Sequence, residues 1–371
     1  MLGPATVADL SERELIARIQ QRLPPAPPWL LVGIGDDAAI VEPERNRVEV
    51  LTVDAIVEGI HFDRAFVPAD AIGHRALAVN LSDLAAMGAA PRLALLSMAL
   101  PATLPAADFD AIVAGFTALA AAHRLHVVGG NLTRSPGPLM IDVTVAGTVK
   151  RRQGLTRAGA KPGDDLYVSG TIGAAAAGLR MLRKVVSHQS SVVGHQSSGF
   201  SPSPQSTDDL RLTLMTEDPR LTTDDWRLMT AYLRPEPRVR LGLLLARNRA
   251  ASACVDLSDG LADGVQRLAE ASGVGVMLDA SALPIEPAAR AFFEAHGLDP
   301  VEESVSAGDD YELLVAVRPR TRGRLSAAIR HGGAPLTRIG RCTEDRAVTL
   351  RRTGAAAATE AALPAGYTHF G

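Results

Sequence analysis

Residues 76–89 read Ala76-Leu77-Ala78-Val79-Asn80-Leu81-Ser82-Asp83-Leu84-Ala85-Ala86-Met87-Gly88-Ala89. From Ala69 to Gly88 the composition predicts a helix ended by glycine, apolar at nearly every position. Asn80 and Asp83 break that pattern, and at a spacing of three they share one helix face. A carboxylate beside a buried face is costly unless it is paired or metal-bound. Asp83 therefore needs a protein partner, such as Arg75 or a capping amide, or else a cation.

Working outward, helical and extended patterns alternate. Ser11 with Glu14 forms a capping-box pattern, and Leu15, Ile16, Ile19 and Leu23 follow at helical spacing until Pro24 and Pro25 end the run. Val48 to Asp54 alternates as a strand, Arg92 to Leu100 is a strand stopped by Pro101, Ala106 to Arg124 is helical and Leu139 to Val149 extended. Beyond the Gly159-to-Gly163 turn the alternation begins again. Asp165 to Ser169 reads as a strand, Ile172 to Lys184 as a helix, Ala253 to Asp256 as a buried strand before a helix after Gly260, and Tyr311 to Val317 as a strand. The pattern is that of an α/β (α+β) chain, with domains expected at 1–150 and 151–371. Residues 187–207, rich in Ser, Gln, His and Pro and repeating His188-Gln189-Ser190-Ser191 at His195-Gln196-Ser197-Ser198, read as a mobile, solvated insertion in the second domain.

At 371 residues and 47% hydrophobic content, the chain is long enough for two ordinary cores. The longest apolar stretch, Ala111 to Ala122, is too short to span a bilayer, and the N-terminus lacks a charged segment followed by an apolar one. These features lead us to expect a cytoplasmic protein. Cys254 and Cys342 are too few for a disulfide framework or a zinc site, so any metal is expected to be oxygen-ligated. A net charge of -3 and the lack of a basic stripe argue against nucleic acid as partner. None of the three lysines, Lys150, Lys161 and Lys184, lies in a P-loop motif. Gly33-Ile34-Gly35 lacks the third glycine of a dinucleotide fingerprint and is followed by Asp36 and Asp37, where a pyrophosphate would sit.

Acidic residues recur beside glycine turns and strand ends. Asp37 follows Gly33-Ile34-Gly35, where backbone can approach a phosphate or metal closely; alone it is better explained by an Asx-turn, and the surrounding motifs reverse that preference. Asp54 closes Leu51-Thr52-Val53-Asp54, and Glu58-Gly59-Ile60-His61-Phe62 then brings an imidazole near the same edge. Val127 to Arg134, with Gly129-Gly130-Asn131 inside it, reads as a strand running into a glycine turn, either a phosphate loop or a plain hairpin. Val255-Asp256-Leu257-Ser258-Asp259-Gly260-Leu261 places two acids and a hydroxyl where a buried strand meets a helix. Capping explains Asp259 well and Asp256 poorly. Ala307-Gly308-Asp309-Asp310-Tyr311-Glu312-Leu313 repeats the theme. Converging aspartates repel one another unless cations, typically Mg²⁺ held together with substrate phosphates, bring them together.

Together these six segments and the tail Gly366-Tyr367-Thr368-His369-Phe370 resemble the thiamine-monophosphate kinase family, part of the superfamily of aminoimidazole ribonucleotide synthetase. The resemblance implies a two-domain aminoimidazole ribonucleotide synthetase-like fold whose N-terminal domain forms a homodimer through a β-barrel-like interface. It implies phosphorylation of thiamine monophosphate by ATP, assisted by several Mg²⁺ ions, with no catalytic side chain of its own. By the same resemblance Asp37, Thr52, Asp54, Asp83, Asn131, Asp256 and Asp259 hold metal, and Gly130, Asn131, Arg157 and Ser258 contact ATP. His61, Asp309 and Tyr367 touch the thiamine substrate.

The chain departs from the family where it has Asn131-Leu132 in place of Asp-Thr, Val53 in place of a hydroxyl residue, and Ala307-Gly308-Asp309-Asp310 in place of Gly-Gly-Glu-Asp. Asparagine still offers a carbonyl oxygen to Mg²⁺ but no full charge. A related ATP-dependent enzyme such as aminoimidazole ribonucleotide synthetase, or a Mg-ATP-binding module without turnover, stands as the alternative.

Overall fold

A computed structural model of the chain describes residues 5–193, 205–217, 221–353, 358–364 and 366. The first elements are α1 (Glu12–Gln20), β1 (Leu30–Val32), β2 (Ile40–Val41), β3 (Arg47–Val57), α2 (Ala69–Ala86), β4 (Ala90–Pro101), α3 (Ala106–Ala122), β5 (His126–Ser135) and β6 (Met140–Lys150). They are followed by β7 (Asp165–Ser169), α4 (Ala174–Val193), α5 (Thr207–Glu217), α6 (Thr223–Leu233), α7 (Val239–Asn248), β8 (Ala253–Asp256), α8 (Leu261–Ser272) and β9 (Gly275–Asp279). The last are α9 (Pro287–Ala295), α10 (Pro300–Ser306), β10 (Leu313–Val317), α11 (Leu325–His331), β11 (Leu336–Thr343), β12 (Val348–Thr353) and β13 (Ala358–Ala362). The mixed α/β class is as the sequence predicts.

Two compact units emerge. One comprises residues 1–80, 91–148 and 181–223, the other residues 81–90, 149–180 and 224–371. In the first, a four-stranded sheet has the order β3-β6-β4-β5. β4 and β5 run parallel, joined across α3, because two parallel neighbours need a crossover and an apolar helix supplies it. Alternate residues of β4, Ala94, Leu96, Met98 and Leu100, are buried, while Leu95 is 40% exposed. On β3, Leu51 and Val53 are 72% and 57% exposed, and Thr52 and Asp54 occupy the half-buried positions that lead to Ile56. None of the sheets closes into a barrel among the described residues.

The second unit is built on a seven-stranded sheet of order β13-β12-β9-β11-β7-β10-β8, antiparallel except where β12 meets β9. All residues of β8 and β10 are buried. α8 packs on β8, and its buried Leu261, Val265, Leu268 and Ala269 recur at helical spacing. Their side chains join Leu166, Val168, Val255, Leu278, Leu314 and Ile339 in one core.

Local signals explain most boundaries. Ser11 and Glu14 form the reciprocal capping box that opens α1. α2 ends as read, because Gly88 takes the left-handed conformation at φ 64° and the amides of Gly88 and Ala89 donate to Ala85 and Leu84 carbonyls. Three expectations are corrected. β3 runs on to Val57 instead of ending at Asp54. β5 passes straight through Gly129 and Gly130, so neither a glycine turn nor a hairpin exists there. Parallel pairing with β4 supplies the backbone partners, and a Cβ on Gly130 would lie 1.9 Å from the Leu96 carbonyl oxygen. The strand predicted from Tyr311 starts at Leu313, because Asp309 and Tyr311 have φ of 69° and 50°.

The solvated reading of 187–207 meets helix at both described ends. The backbone of 187–193 continues α4, and Thr207 opens α5, its hydroxyl donating to Asp70 while the Ser206 hydroxyl accepts from the Asp209 amide. The second histidine repeat lies outside the described residues.

α2 and α3 approach closely at Gly115, where a Cβ would stand 1.9 Å from the Asp70 carbonyl oxygen. Gly115→Ala sets a gain of about 1 kcal/mol in helix propensity against backbone overlap that no rotamer relieves. Overlap wins, and we expect a net loss of at least about 1–3 kcal/mol. Urea unfolding of the purified variant checks this; equal or raised stability would contradict the packing.

Candidate active site

In the second unit the chain brings together Asp83 from the end of α2 and Asp256 from the end of β8. Asp256 is only 5% exposed, and the Ser82 hydroxyl donates to its Oδ2 at 2.9 Å. Loss of water around Asp256 pushes its carboxyl up to about 6, with the negative charge of Asp83 as the next cause. Ser82, the positive charge of Arg157 and the Ser258 hydroxyl pull in the opposite direction. Four expected site residues thus share one neighbourhood. The sequence reading did not single out Ser82, though its place beside Asp83 on a buried helix was the available signal.

Asp259 is held by Arg267, whose Nη2 donates to its Oδ2 at 2.8 Å, and the same guanidinium pairs with Asp263. Asp263 is raised by burial first, against the pull of Arg267. The 307–312 loop lies along this segment. The Asp309 amide donates to the Ser258 carbonyl at 2.8 Å, and the Tyr311 amide donates to Leu257 at 3.1 Å. The Tyr311 hydroxyl donates to Asp309 Oδ1 at 3.0 Å. Non-glycine residues in the left-handed region cost on the order of 1–3 kcal/mol each and persist only where the surroundings dictate them. Asp309 and Tyr311 are two such residues, separated by Asp310. Asp310 caps α4 by accepting from the Gly173 amide at 3.1 Å and 3.2 Å, and desolvation pushes its carboxyl well up.

Gly366 reaches the start of α8, where a Cβ on it would stand 3.0 Å from the Asp263 Cβ. Tyr367, the expected aromatic contact, lies outside the described residues.

The first unit carries the remaining expected residues. Thr52 and Asp54 share one face of β3, and Gly130 and Asn131 lie on β5 at the opposite edge of the sheet, about 14 Å away by strand spacing. Asp37 is exposed, and its amide donates to Asp36 Oδ1 at 2.8 Å, the local turn bond that competes with a ligand role. His61 sits in a closed turn in which the Val57 amide donates to Nδ1 at 3.1 Å. Accepting at Nδ1 places the proton of the neutral ring on Nε2. The Glu58 carboxylate clamps this turn, taking bonds from Arg64 Nε at 2.8 Å and the Leu139 amide at 3.0 Å.

Among the described residues no three His, Cys, Asp or Glu side chains cluster as a ready metal cage. Mg²⁺ does not require one, since it commonly takes one or two carboxylates with waters and substrate phosphates. Two mutually repelling carboxylates with a flanking hydroxyl are hard oxygen donors that fit such an ion.

Comparison with known proteins finds two family matches along the chain. Residues 35–149 match the family AIR synthase related protein, N-terminal domain, and residues 216–352 match AIR synthase related protein, C-terminal domain. The thiamine-monophosphate kinase of Salmonella typhimurium is 36% identical over 337 residues, covering 90% of this chain and 91% of that protein. A crystal structure of the thiamine-monophosphate kinase from Stenotrophomonas maltophilia superposes with a TM-score of 0.74 at 37% identity, covering 92% and 96% of the two chains. The structure of AaThiL complexed with AMPPCP and TMP has a TM-score of 0.69 at 28% identity, covering 91% and 92%.

If charge repulsion from position 83 helps to raise Asp256, then Asp83→Asn brings the Asp256 carboxyl down from about 6 toward its ordinary range. Removing the Arg157 charge moves it the other way. Carboxyl-carbon NMR titration of the metal-free protein reads both shifts, and an unmoved Asp256 in both variants would refute the pairing.

Proposed function

The chain belongs to the thiamine-monophosphate kinase family, and from that premise we propose that it transfers the γ-phosphoryl group of ATP to thiamine monophosphate, giving ADP and thiamine diphosphate. Support comes from relatives bearing that name along nearly their whole length, and from a relative that holds both AMPPCP, an analogue of ATP, and TMP. The observation in this chain that carries the reading is the meeting of Asp83 and Asp256 beside Arg157 and Ser258.

The acceptor phosphate has a second pKa near 6, so it is already an anionic nucleophile at neutral pH and needs no general base. The barrier is repulsion between two polyanions that must meet in line. Asp37, Thr52, Asp54, Asp83, Asn131, Asp256 and Asp259 are the residues we assign to holding Mg²⁺, which when bound supplies charge neutralisation between the phosphates. Gly130, Asn131, Arg157 and Ser258 are assigned to ATP. Arg157 adds positive charge beside the carboxylate pair, and Ser258 adds a hydroxyl at the strand end. His61, Asp309 and Tyr367 are assigned to the thiamine substrate, an aromatic residue suiting a cationic thiazolium. Transfer is direct, without a phosphoenzyme.

We assign the catalytic domains to 1–150 and 151–371 and propose a homodimer through the open face of the four-stranded sheet. Leu51, Val53, Leu95 and Met140 are exposed on its strands. No described helix is long and apolar enough to cross a membrane. We place the protein in the cytoplasm.

A coupled assay for ADP tests the reading. ADP release should require thiamine monophosphate, stop in excess chelator, and fall by at least a hundredfold in Asp256→Asn, the scale on which removal of electrostatic transition-state stabilisation acts. Turnover of an amidine ribonucleotide instead would assign the chain to the synthetase branch, and Mg-ATP binding without turnover would make it a non-catalytic module. Asparagine at 131 lacks a charge, so Asn131→Asp should lower the Mg²⁺ concentration that gives half-maximal rate; an unchanged value would remove Asn131 from the metal assignment.

A further inference from the structure

We propose that Tyr311 is a positioning residue whose hydroxyl fixes the Asp309 carboxylate for the acceptor substrate, and that the buried Glu312–Arg238 pair holds Tyr311 in the conformation this requires. The proposal rests on the assignment of Asp309 to the thiamine substrate.

Residues two apart in a strand stand roughly 7 Å from one another along one face, too far for a direct side-chain bond. Left-handed backbone at both Asp309 and Tyr311 folds the segment back and closes the gap to 3.0 Å. The left-handed region is uncommon for a bulky residue such as tyrosine, so something must impose it. Both neighbours of Tyr311 are anchored. On one side Asp310 is bound by the Gly173 amide at the start of α4. On the other, Glu312 is 3% exposed and receives Arg238 in two parallel bonds, Nε to Oε2 at 2.8 Å and Nη2 to Oε1 at 2.6 Å.

The Ser169 hydroxyl also donates to Glu312 and accepts from the Leu313 amide at 2.8 Å. Gly170 completes the cradle, since a Cβ there would lie 2.0 Å from Glu312 Oε1. Tyr311 is 5% exposed, so water around it is scarce, and its hydroxyl donates to the carboxylate of a partly exposed residue. This anchoring continues into the phosphate side of the site, because the Glu312 carbonyl accepts from the Leu257 amide, the residue between Asp256 and Ser258.

Steady-state kinetics on the full chain separate positioning from stability. Tyr311→Phe, which removes one oxygen and keeps the ring, should raise KM for thiamine monophosphate by on the order of threefold to tenfold, the worth of one hydrogen bond, and leave KM for ATP within about twofold. In an Asp309→Ala background the same change should have no further effect. Arg238→Lys, which keeps the charge and loses the two-pronged fork, should shift KM for thiamine monophosphate in the same direction. The proposal is overturned if Asp309→Ala raises that KM and Tyr311→Phe does not, or if Tyr311→Phe shifts both substrates' KM in step with a lowered melting temperature. If Asp309→Ala leaves it unchanged, the substrate assignment of Asp309 fails and the proposal falls with it.

Discussion

Two carboxylates separated by more than 170 positions in sequence are held in one poorly hydrated place, and much of the second unit is arranged around that conflict. Asp83 rides on a helix whose other positions near it, Asn80, Leu81, Ser82, Leu84 and Ala85, are buried, and that packing orients the helix. Asp256 ends a strand with all four residues buried, and its backbone register is set by pairing with Leu313. Asp256 is buried and Asp83 half-buried, so both carboxylates have lost water. The relief available within the protein is a serine hydroxyl, a second hydroxyl at Ser258 and the charge of Arg157.

The neighbouring 307–312 loop shows the same economy by a different route. Its left-handed residues would relax into extended backbone if left alone, and they are retained by a bidentate arginine, a buried serine and a helix N-terminus. A buried ion pair is weak evidence of net stability, because desolvation offsets much of the attraction. Its geometry still specifies one conformation, and here that conformation sets Asp309 beside Ser258.

The sequence made some of this legible and hid the rest for identifiable reasons. Helix ends were readable where the signal is local: Ser11 with Glu14, and glycine at position 88. Asp83 stood out because charge in an apolar helix violates a one-dimensional pattern. The course of β5 was hidden because paired glycines signal a turn, whereas Gly130 is small to let the β4 backbone pass, a requirement set by a partner more than 30 residues away. Arg238 was unreadable for a similar reason. An arginine after proline in Arg234-Pro235-Glu236-Pro237-Arg238 looks like any solvated loop charge until Glu312, 74 positions on, is placed against it. The expected metal, nucleotide and substrate roles came only from the family resemblance, which the order of whole motifs carries and no single residue holds.

Placing Asp256 where it titrates near 6 has an energetic sign that links stability to ligand. An acid whose folded-state value lies above its ordinary one binds protons more tightly when folded. Its unfavourable contribution is therefore absent below the ordinary value, near 3.8, grows as pH rises through about 6, and is fully present at neutral pH. A shift of that size corresponds to about 3 kcal/mol, a large share of the stability of an ordinary domain. A cation held by Asp83 and Asp256 would oppose both causes, supplying contacts in place of lost water and attraction in place of repulsion. The fold thus carries a destabilisation at neutral pH, and any ligand that lowered the Asp256 carboxyl toward its ordinary range would gain that difference as binding free energy.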